Sequence, residues 1–143
     1  MGASTKEVAG MQQTAGAVKV PRKTLGDTGM TVPILLMGCL QKFDPKYDRR
    51  LHRAFGLGVD YLDTAQGYSQ GQSHKTLAPF LKQVGRKNIW VTSKVNLRED
   101  PSVEGYTSNL DTCLKDLETD YLDLFFMHAV QFETQLDPEY IKM

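Results

Sequence analysis

The stretch Val59-Asp-Tyr-Leu-Asp63-Thr-Ala-Gln-Gly-Tyr68 decides the fold. It begins as a short apolar run and ends on a carboxylate, and a phenol follows in a glycine-containing loop. This pattern predicts a buried strand that carries Asp63 at its carboxyl end, with Tyr68 on the loop beyond it. Two later strand candidates end in the same way, on Lys94 and on His128. Because chemistry collects at the carboxyl ends of parallel strands, we expect these four residues to form one site.

Four apolar strand candidates alternate with amphipathic helices along the chain. The predicted strands are Ile34–Leu40, Val59–Asp63, Ile89–Lys94 and Tyr121–His128, and the predicted helices run from about Asp44 to Leu57, Ser73 to Val84 and Ser102 to Leu117. Residues 21–32 precede them and predict a β-hairpin. The alternation predicts parallel strands joined by right-handed crossovers. The first strand candidate is apolar throughout, which predicts that both its faces are covered.

Two architectures fit this α/β pattern. The length suits a four-stranded, flavodoxin-like open sheet, whereas polar residues at the ends of three successive strands favour a (β/α)₈ TIM barrel. The hairpin could close the bottom of such a barrel. Asp137-Pro138-Glu139 has the features of a helix start, and only four residues follow it. We therefore expect a flexible tail over residues 1–20 and, over residues 21–143, a partial barrel domain: its amino-terminal half, truncated at the carboxyl end.

Composition excludes several classes of function. Lys and Arg together number 17, as do Asp and Glu, so the chain carries no charge excess that would attract nucleic acid. No apolar run approaches the roughly 20 residues that span a bilayer. Cys39 and Cys113 lie far apart in the sequence, which argues against a zinc site or a disulfide framework. These features predict a cytoplasmic protein, or an exported one if the first 20 residues are the remnant of a leader.

The motifs at the four site residues resemble those of the aldo-keto reductase family. The matching text is Arg22-Lys-Thr-Leu-Gly26 with Gly29-Met, Asp63-Thr-Ala-x-x-Tyr68, Thr92-Ser-Lys94-Val and Leu122-Asp-Leu-Phe-Phe-Met-His128. The resemblance covers nearly all of residues 22–143 and corresponds to the amino-terminal half of the family's barrel. The hairpin and first strand are similar to those of a bacterial subgroup.

This resemblance implies an oxidoreductase that reduces small aldehydes or ketones with NADPH and without a metal. Tyr68 would be the general acid, Lys94 would favour its phenolate, Asp63 would pair with Lys94, and His128 would orient the substrate carbonyl. Gly38, Cys39 and Leu40 at the end of the first strand, together with Asp63, would contact the nicotinamide end of the cofactor. The isolated chain is expected to turn over poorly, because the remaining cofactor contacts of the family lie beyond residue 143.

Other interpretations remain open at this point. Taken singly, Asp63 could be a turn former, Tyr68 a surface residue, Lys94 a solvated strand end and His128 a histidine at the edge of the core. A non-enzymatic half-barrel could bury its open sheet edges by self-association. A flavodoxin-like domain would instead bind a flavin or a phosphate. His52 and His74 are expected on the solvent-facing sides of their helices.

Overall fold

The computed structural model describes residues 18–96 and 102–131. Three of the sequence predictions fall outside these ranges: most of the tail predicted for residues 1–20, the loop containing Asp100–Pro101, and the helix start at Asp137–Pro138. They stay predictions.

The described residues form two sheets and three α-helices. The strands are β1 (Arg22–Thr24), β2 (Thr31–Pro33), β3 (Met37–Gly38), β4 (Tyr61–Asp63), β5 (Trp90–Val95) and β6 (Leu124–Met127), and the helices are α1 (Arg49–Gly56), α2 (Gln72–Val84) and α3 (Val103–Leu117). A 3₁₀ turn, Arg86–Asn88, joins α2 to β5. The two strands β1 and β2 pair antiparallel, which confirms the predicted hairpin.

The other four strands form one parallel sheet in the order β3-β4-β5-β6. One helix lies in each of the three crossovers, so the alternation predicted from the sequence is confirmed. A parallel sheet whose strands follow chain order, each followed by a helix, is the repeating pattern of a (β/α)₈ barrel.

Helix α1 begins later than the sequence predicted. Its start was expected near Asp44, but Asp48 caps it by accepting hydrogen bonds from the backbone amides of Arg50 (2.9 Å) and Leu51 (3.3 Å). The Asp44 carboxylate instead accepts from the amide of Lys46 at 2.8 Å and forms a turn. Two capping candidates stand four residues apart here, and the second one is used.

Helices α2 and α3 lie within one residue of their predicted bounds. Gly85 ends α2 in a positive-φ conformation (φ 80°), which glycine adopts without steric cost. The hydroxyl of Ser102 caps α3 by accepting from the amide of Gly105 at 2.9 Å.

The main hydrophobic core lies between the helices and the parallel sheet. Buried side chains from all three helices and from β4 and β5 contribute to it: Cys39, Phe43, Leu51, Leu62, Leu77, Phe80, Leu81, Ile89, Val91 and Leu117. This core anchors the strands whose carboxyl ends carry the candidate site residues.

The prediction for the first parallel strand was wrong in extent and in burial. Strand β3 contains only Met37–Gly38, and Ile34, Leu35 and Leu36 before it are more than half exposed. Leu40, just after it, is 63% exposed. The apolar run was read as a doubly covered strand, but in the described sheet β3 has a single neighbour, β4. Hydrophobicity alone does not specify which partner covers a strand.

No helix within residues 18–96 and 102–131 has the length and the apolar character that crossing a bilayer requires.

Candidate active site

Strand β4 and the loop after it carry the first two candidate residues. Asp63 ends β4 and lies opposite Gly38 of β3 and Thr92 of β5. The loop then continues along β5, because the amide of Thr64 donates to the carbonyl of Thr92 (2.9 Å) and the amide of Gln66 donates to that of Lys94 (3.0 Å). These bonds extend the register of the sheet past the end of β4 and bring Tyr68 back over β5.

Lys94 connects the carboxylate and the phenol. It lies two residues beyond Thr92 on β5, so its side chain is on the same face of the sheet as that of Asp63. Its Nζ donates to the Asp63 carboxylate and to the carbonyl of Thr64 at 3.0 Å, and it lies 3.4 Å from the Tyr68 hydroxyl. The Lys94 side chain is 16% exposed, so the ammonium is largely withdrawn from water.

His128 completes the group from the next strand. Its backbone amide donates to the carbonyl of Val95 at 2.7 Å, which fixes the residue just past the end of β6. Its ring meets that of Tyr68 edge to face, with centroids 5.7 Å apart and planes at 80°. The structure therefore brings Asp63, Tyr68, Lys94 and His128 together at one rim of the parallel sheet, where the carboxyl ends of its strands lie.

The rim beside Asp63 is open at β3. Gly38 is exposed, and a Cβ added to it would meet no atom within 4 Å. The side chain of Cys39 is fully buried and its Sγ lies 3.2 Å from the carbonyl of Met37. Burial, reinforced by the nearby negative charge of Asp63, raises the pKa of Cys39 to about 12. Cys39 therefore meets the rim through its backbone, and its thiol is not a nucleophile at neutral pH.

The arrangement can perform proton transfer. A cation placed between a carboxylate and a phenol stabilises the phenolate that remains after the hydroxyl gives up its proton. The carboxylate in turn stabilises the ammonium in a partly desolvated place. The edge-to-face histidine supplies a ring N–H or a ring nitrogen beside the phenol.

Sequence reasoning missed three hydroxyl-bearing residues around the loop. Thr64 and Ser73 are fully buried beside it, and Ser69 directly follows Tyr68. The hydroxyls of Ser69 and Ser73 donate to carbonyls at the end of β3, about 30 positions away in the sequence, and the hydroxyl of Thr64 bonds to that of Ser73. No spacing pattern in the sequence predicts such contacts, because they depend on the tertiary fold.

His74 was expected to face solvent, and that prediction was wrong. It is 1% exposed, and its Nε2 lies 3.0 Å from the hydroxyl of Ser93, next to Lys94. A signal was available, since His74, Leu77 and Leu81 recur at the spacing of one helix face.

The described surface has three concavities elsewhere that the four residues do not line. Cavities of about 860, 760 and 480 Å³ lie along α1, beside the α2–β5 turn, and at the opposite end of the sheet. Nor do residues 18–96 and 102–131 contain three His, Cys, Asp or Glu side chains grouped closely enough to hold a metal ion.

Comparison with known proteins gives one consistent result. A sequence model of the Aldo/keto reductase family matches residues 41–142. Aldo-keto reductase Rv2971 of Mycobacterium tuberculosis is 28% identical over 121 residues, which cover 82% of this chain and 41% of that protein. Aldo-keto reductase yakc of Schizosaccharomyces pombe, whose name specifies NADP(+), is 26% identical over 137 residues, covering 84% of this chain and 40% of that protein.

Solved structures agree with the sequence comparison. The holo form of aldo-keto reductase AKR11C1 from Bacillus halodurans matches with a TM-score of 0.70 and 28% identity, over 85% of this chain and 43% of that one. Such structures are (β/α)₈ barrels, and the four parallel strands correspond to part of one. The chain spans about two-fifths of the length of these relatives.

Proposed function

This chain belongs to the aldo/keto reductase family, and we propose that its rim of Asp63, Tyr68, Lys94 and His128 serves the reduction of small aldehydes or ketones to alcohols. The observation that carries the proposal is the position of the Lys94 ammonium, which contacts the Asp63 carboxylate and lies 3.4 Å from the Tyr68 hydroxyl. An oxidoreductase role follows from the family, and the roles of the individual residues are our inference.

Tyr68 is the proton donor in this proposal. Its hydroxyl gives a proton to the substrate's carbonyl oxygen while a hydride reaches the carbonyl carbon, so that C=O becomes CH–OH and a phenolate remains. The Lys94 ammonium stabilises that phenolate across 3.4 Å. Because Lys94 is largely buried, this attraction is weakened by water less than it would be at the surface.

Asp63 and His128 support the proton donor. The Asp63 carboxylate compensates the positive charge of Lys94 in a partly desolvated place. His128 packs against the edge of the Tyr68 ring, and a ring N–H there can donate to the same carbonyl oxygen that Tyr68 protonates. Two donors on one oxygen orient the carbonyl for attack.

The cofactor is proposed to be NADPH, which supplies the hydride when bound. The name of the S. pombe relative specifies NADP(+). A flat nicotinamide ring needs an open backbone surface, and Gly38 offers one directly beside Asp63 in the sheet register. The backbone of Cys39 continues that surface, so Gly38, Cys39 and Asp63 are the residues proposed to contact the nicotinamide end.

The test combines cofactor binding with turnover. NADPH is titrated into the 143-residue chain, with cofactor fluorescence followed, and reduction of an aromatic aldehyde is measured for the same preparation. We expect Tyr68→Phe to lower kcat by about a hundredfold or more, whereas Tyr47→Phe, an exposed tyrosine away from the rim, leaves kcat unchanged. A kcat that Tyr68→Phe leaves unchanged would contradict the proposal, whereas weak or absent turnover of the isolated chain is what we expect of a chain that spans about two-fifths of its relatives.

A second feature bears on how the site is completed. Ile34, Leu35, Leu36 and Leu40 form an exposed apolar strip beside β3, and Phe126 on β6 is 47% exposed. Contiguous exposed apolar surface marks an interface. We propose that a second copy of this chain packs on these two open edges of the sheet. Sedimentation of the 143-residue chain over a range of concentrations tests this self-association, and a folded chain that stays monomeric over the whole range would exclude it.

A further inference from the structure

The residue after Tyr68 begins an unusual backbone segment. Ser69, Gln70 and Gly71 all have positive φ values, of 51°, 58° and 77°. The left-handed region is unfavourable for residues with a Cβ, so two successive non-glycine residues there must be held by contacts elsewhere. This strained segment directly follows the proposed proton donor, so the contacts that hold it also affect Tyr68.

Two serine hydroxyls hold the segment to the end of β3. The hydroxyl of Ser69 donates to the carbonyl of Leu40 at 2.7 Å, and the hydroxyl of Ser73 donates to the carbonyl of Cys39 at 2.6 Å. We call these two contacts the serine bridge. They attach both sides of the left-handed segment to two consecutive carbonyls, and those carbonyls belong to the rim beside Gly38.

The bridge is connected to Lys94 through Thr64. Because the single hydroxyl proton of Ser73 goes to Cys39, Thr64 donates its own hydroxyl proton to Ser73, at 3.0 Å. The carbonyl of Thr64 accepts from Lys94 Nζ at 3.0 Å. Thr64 and Ser73 are both fully buried, so water does not replace either partner.

Tyr68 lies inside this network. Its amide donates to the carbonyl of Ala65 at 3.1 Å, and its carbonyl accepts from the amide of Ser73 at 3.2 Å. A shift of Ser69 or Ser73 therefore moves the backbone of Tyr68, and with it the 3.4 Å separation between the phenol and Lys94.

We propose that Ser69 and Ser73 are positioning residues that hold the Tyr68 phenol against Lys94 and His128 and fix it to the β3 rim. The inference rests on the proposed function, since it assigns Tyr68 its orientation for that reaction. Loss of either hydroxyl allows the left-handed segment to relax toward negative φ. The phenol then leaves its place between Lys94 and His128, although the core is unchanged.

The experiment observes the Tyr68 ring directly. The 143-residue chain is prepared with ring-¹³C tyrosine, and the signal of Tyr68 among its six tyrosines is assigned by comparison with Tyr68→Phe. Nuclear Overhauser contacts are then measured from the Tyr68 ring to the His128 ring and to the Lys94 methylenes. We expect Ser69→Gly and Ser73→Ala each to weaken these contacts by about half or more, and the double variant to abolish them. Ser108→Ala, an exposed serine bound only within α3, is the matched control and leaves them intact.

Substitutions at position 69 distinguish the effect of backbone strain from the effect of losing the hydrogen bond to Leu40. Ser69→Gly removes the CH2OH group and accepts positive φ without cost, whereas Ser69→Ala removes only the hydroxyl and keeps the Cβ, so contacts weakened in both variants are due to the lost bridge. A folded double variant that keeps the full Tyr68 contacts would overturn the proposal. If Ser73→Ala prevents folding, Ser69→Gly at its partly exposed position decides the question alone: intact contacts there overturn the proposal.

A kinetic readout separates positioning from general stability. In a preparation that turns over, Ser69→Gly is expected to lower kcat about tenfold or more with the KM for NADPH unchanged; an unchanged kcat would count against positioning. The ring contacts do not depend on turnover. The Tyr68→Phe assay therefore tests the proposed function, and the ring contacts test the serine bridge even in a chain without measurable turnover.

Discussion

Nε2 of His74 lies 3.0 Å from Oγ of Ser93, and both side chains are enclosed between α2, β5 and α3. The second ring nitrogen, Nδ1, is buried without a hydrogen-bond partner in the described part of the chain. Burial lowers the pKa of His74 from 6.5 to about 4, and the nearby charge of Asp116 acts in the opposite direction with smaller effect. The folded chain therefore holds a neutral histidine at neutral pH.

This neutral histidine predicts a loss of stability in mild acid. The unfolded chain protonates His74 near pH 6.5 and the folded chain near pH 4, so its contribution is complete above pH 6.5 and is lost as pH falls between these values. The expected loss in the free energy of unfolding is about 3 kcal/mol. Urea titrations from pH 7 to pH 4 measure it. The step should vanish in His74→Gln and persist in His52→Gln, and a step that survives His74→Gln would assign it to other groups.

The two thiols are predicted to be inert in the folded chain. Burial raises the pKa of Cys39 to about 12 and that of Cys113 to about 11, and both side chains are fully enclosed. Because the thiolate is the reactive form, each should react with a disulfide reagent at pH 8 about a hundredfold or more slowly than a free cysteine. Two equivalents should react at once in denaturant. Rapid reaction of either thiol in the native chain would show that its enclosure opens readily.

Substitution of Arg86 is predicted to lower the stability of the fold strongly. Arg86 lies in the turn between α2 and β5 and contacts the segment that leads into β6. Its guanidinium donates to the Asp123 carboxylate (2.7 Å) and to the carbonyls of Ile89 (2.6 Å) and Tyr121 (3.1 Å), and it covers the Tyr121 ring at 3.9 Å. Arg86→Ala leaves a largely buried carboxylate uncompensated and should lower the free energy of unfolding by about 3 kcal/mol. Arg86→Lys, which keeps the charge and loses the fork of donors, should cost about half as much. The exposed neighbour offers a control, since Lys87→Ala should change stability by less than about 0.5 kcal/mol.

Features that depend on local sequence or on the order of the elements could be predicted, whereas features that depend on contacts between distant residues could not. The four site residues could be placed together because parallel strands bring their carboxyl ends to one edge, a rule that needs only element order. The bounds of α2 followed from local periodicity and Gly85. The start of α1 did not, because Asp44 and Asp48 both have capping chemistry and only tertiary packing selects between them.

Other features depended on contacts that a single sequence does not display. The burial of Ile34 to Leu36 was predicted from hydrophobicity, yet it depends on which segment covers β3. The serine bridge and the contacts of Arg86 with Tyr121 and Asp123 join positions about 30 or more residues apart through hydroxyl and guanidinium groups that are common on surfaces. His74 is different, because its spacing from Leu77 and Leu81 already indicated the buried face of α2. It was assigned to the solvent-facing side because histidine is polar.

The ion pair of Lys94 and Asp63 is predicted to be energetically coupled, beyond its proposed role in catalysis. Their side chains are 16% and 27% exposed, and the other two groups that Lys94 Nζ contacts, the Thr64 carbonyl and the Tyr68 hydroxyl, carry no full charge. Asp63→Asn therefore leaves an ammonium that is poorly hydrated and uncompensated. Each of Asp63→Asn and Lys94→Met should lower the free energy of unfolding by about 1 to 2 kcal/mol.

A double-mutant cycle separates the pair from its surroundings. The double variant Asp63→Asn/Lys94→Met should cost less than the sum of the single variants, with a coupling of about 1 kcal/mol. The matched control is the pair of Lys82 and Glu118, whose side chains are 65% and 54% exposed. Its variants Lys82→Met and Glu118→Gln should give a coupling below about 0.5 kcal/mol, because water screens exposed pairs. Equal coupling in the two cycles would mean that the rim around Lys94 is as well hydrated as the surface, and the stabilisation of a Tyr68 phenolate by Lys94 would then lose its physical basis.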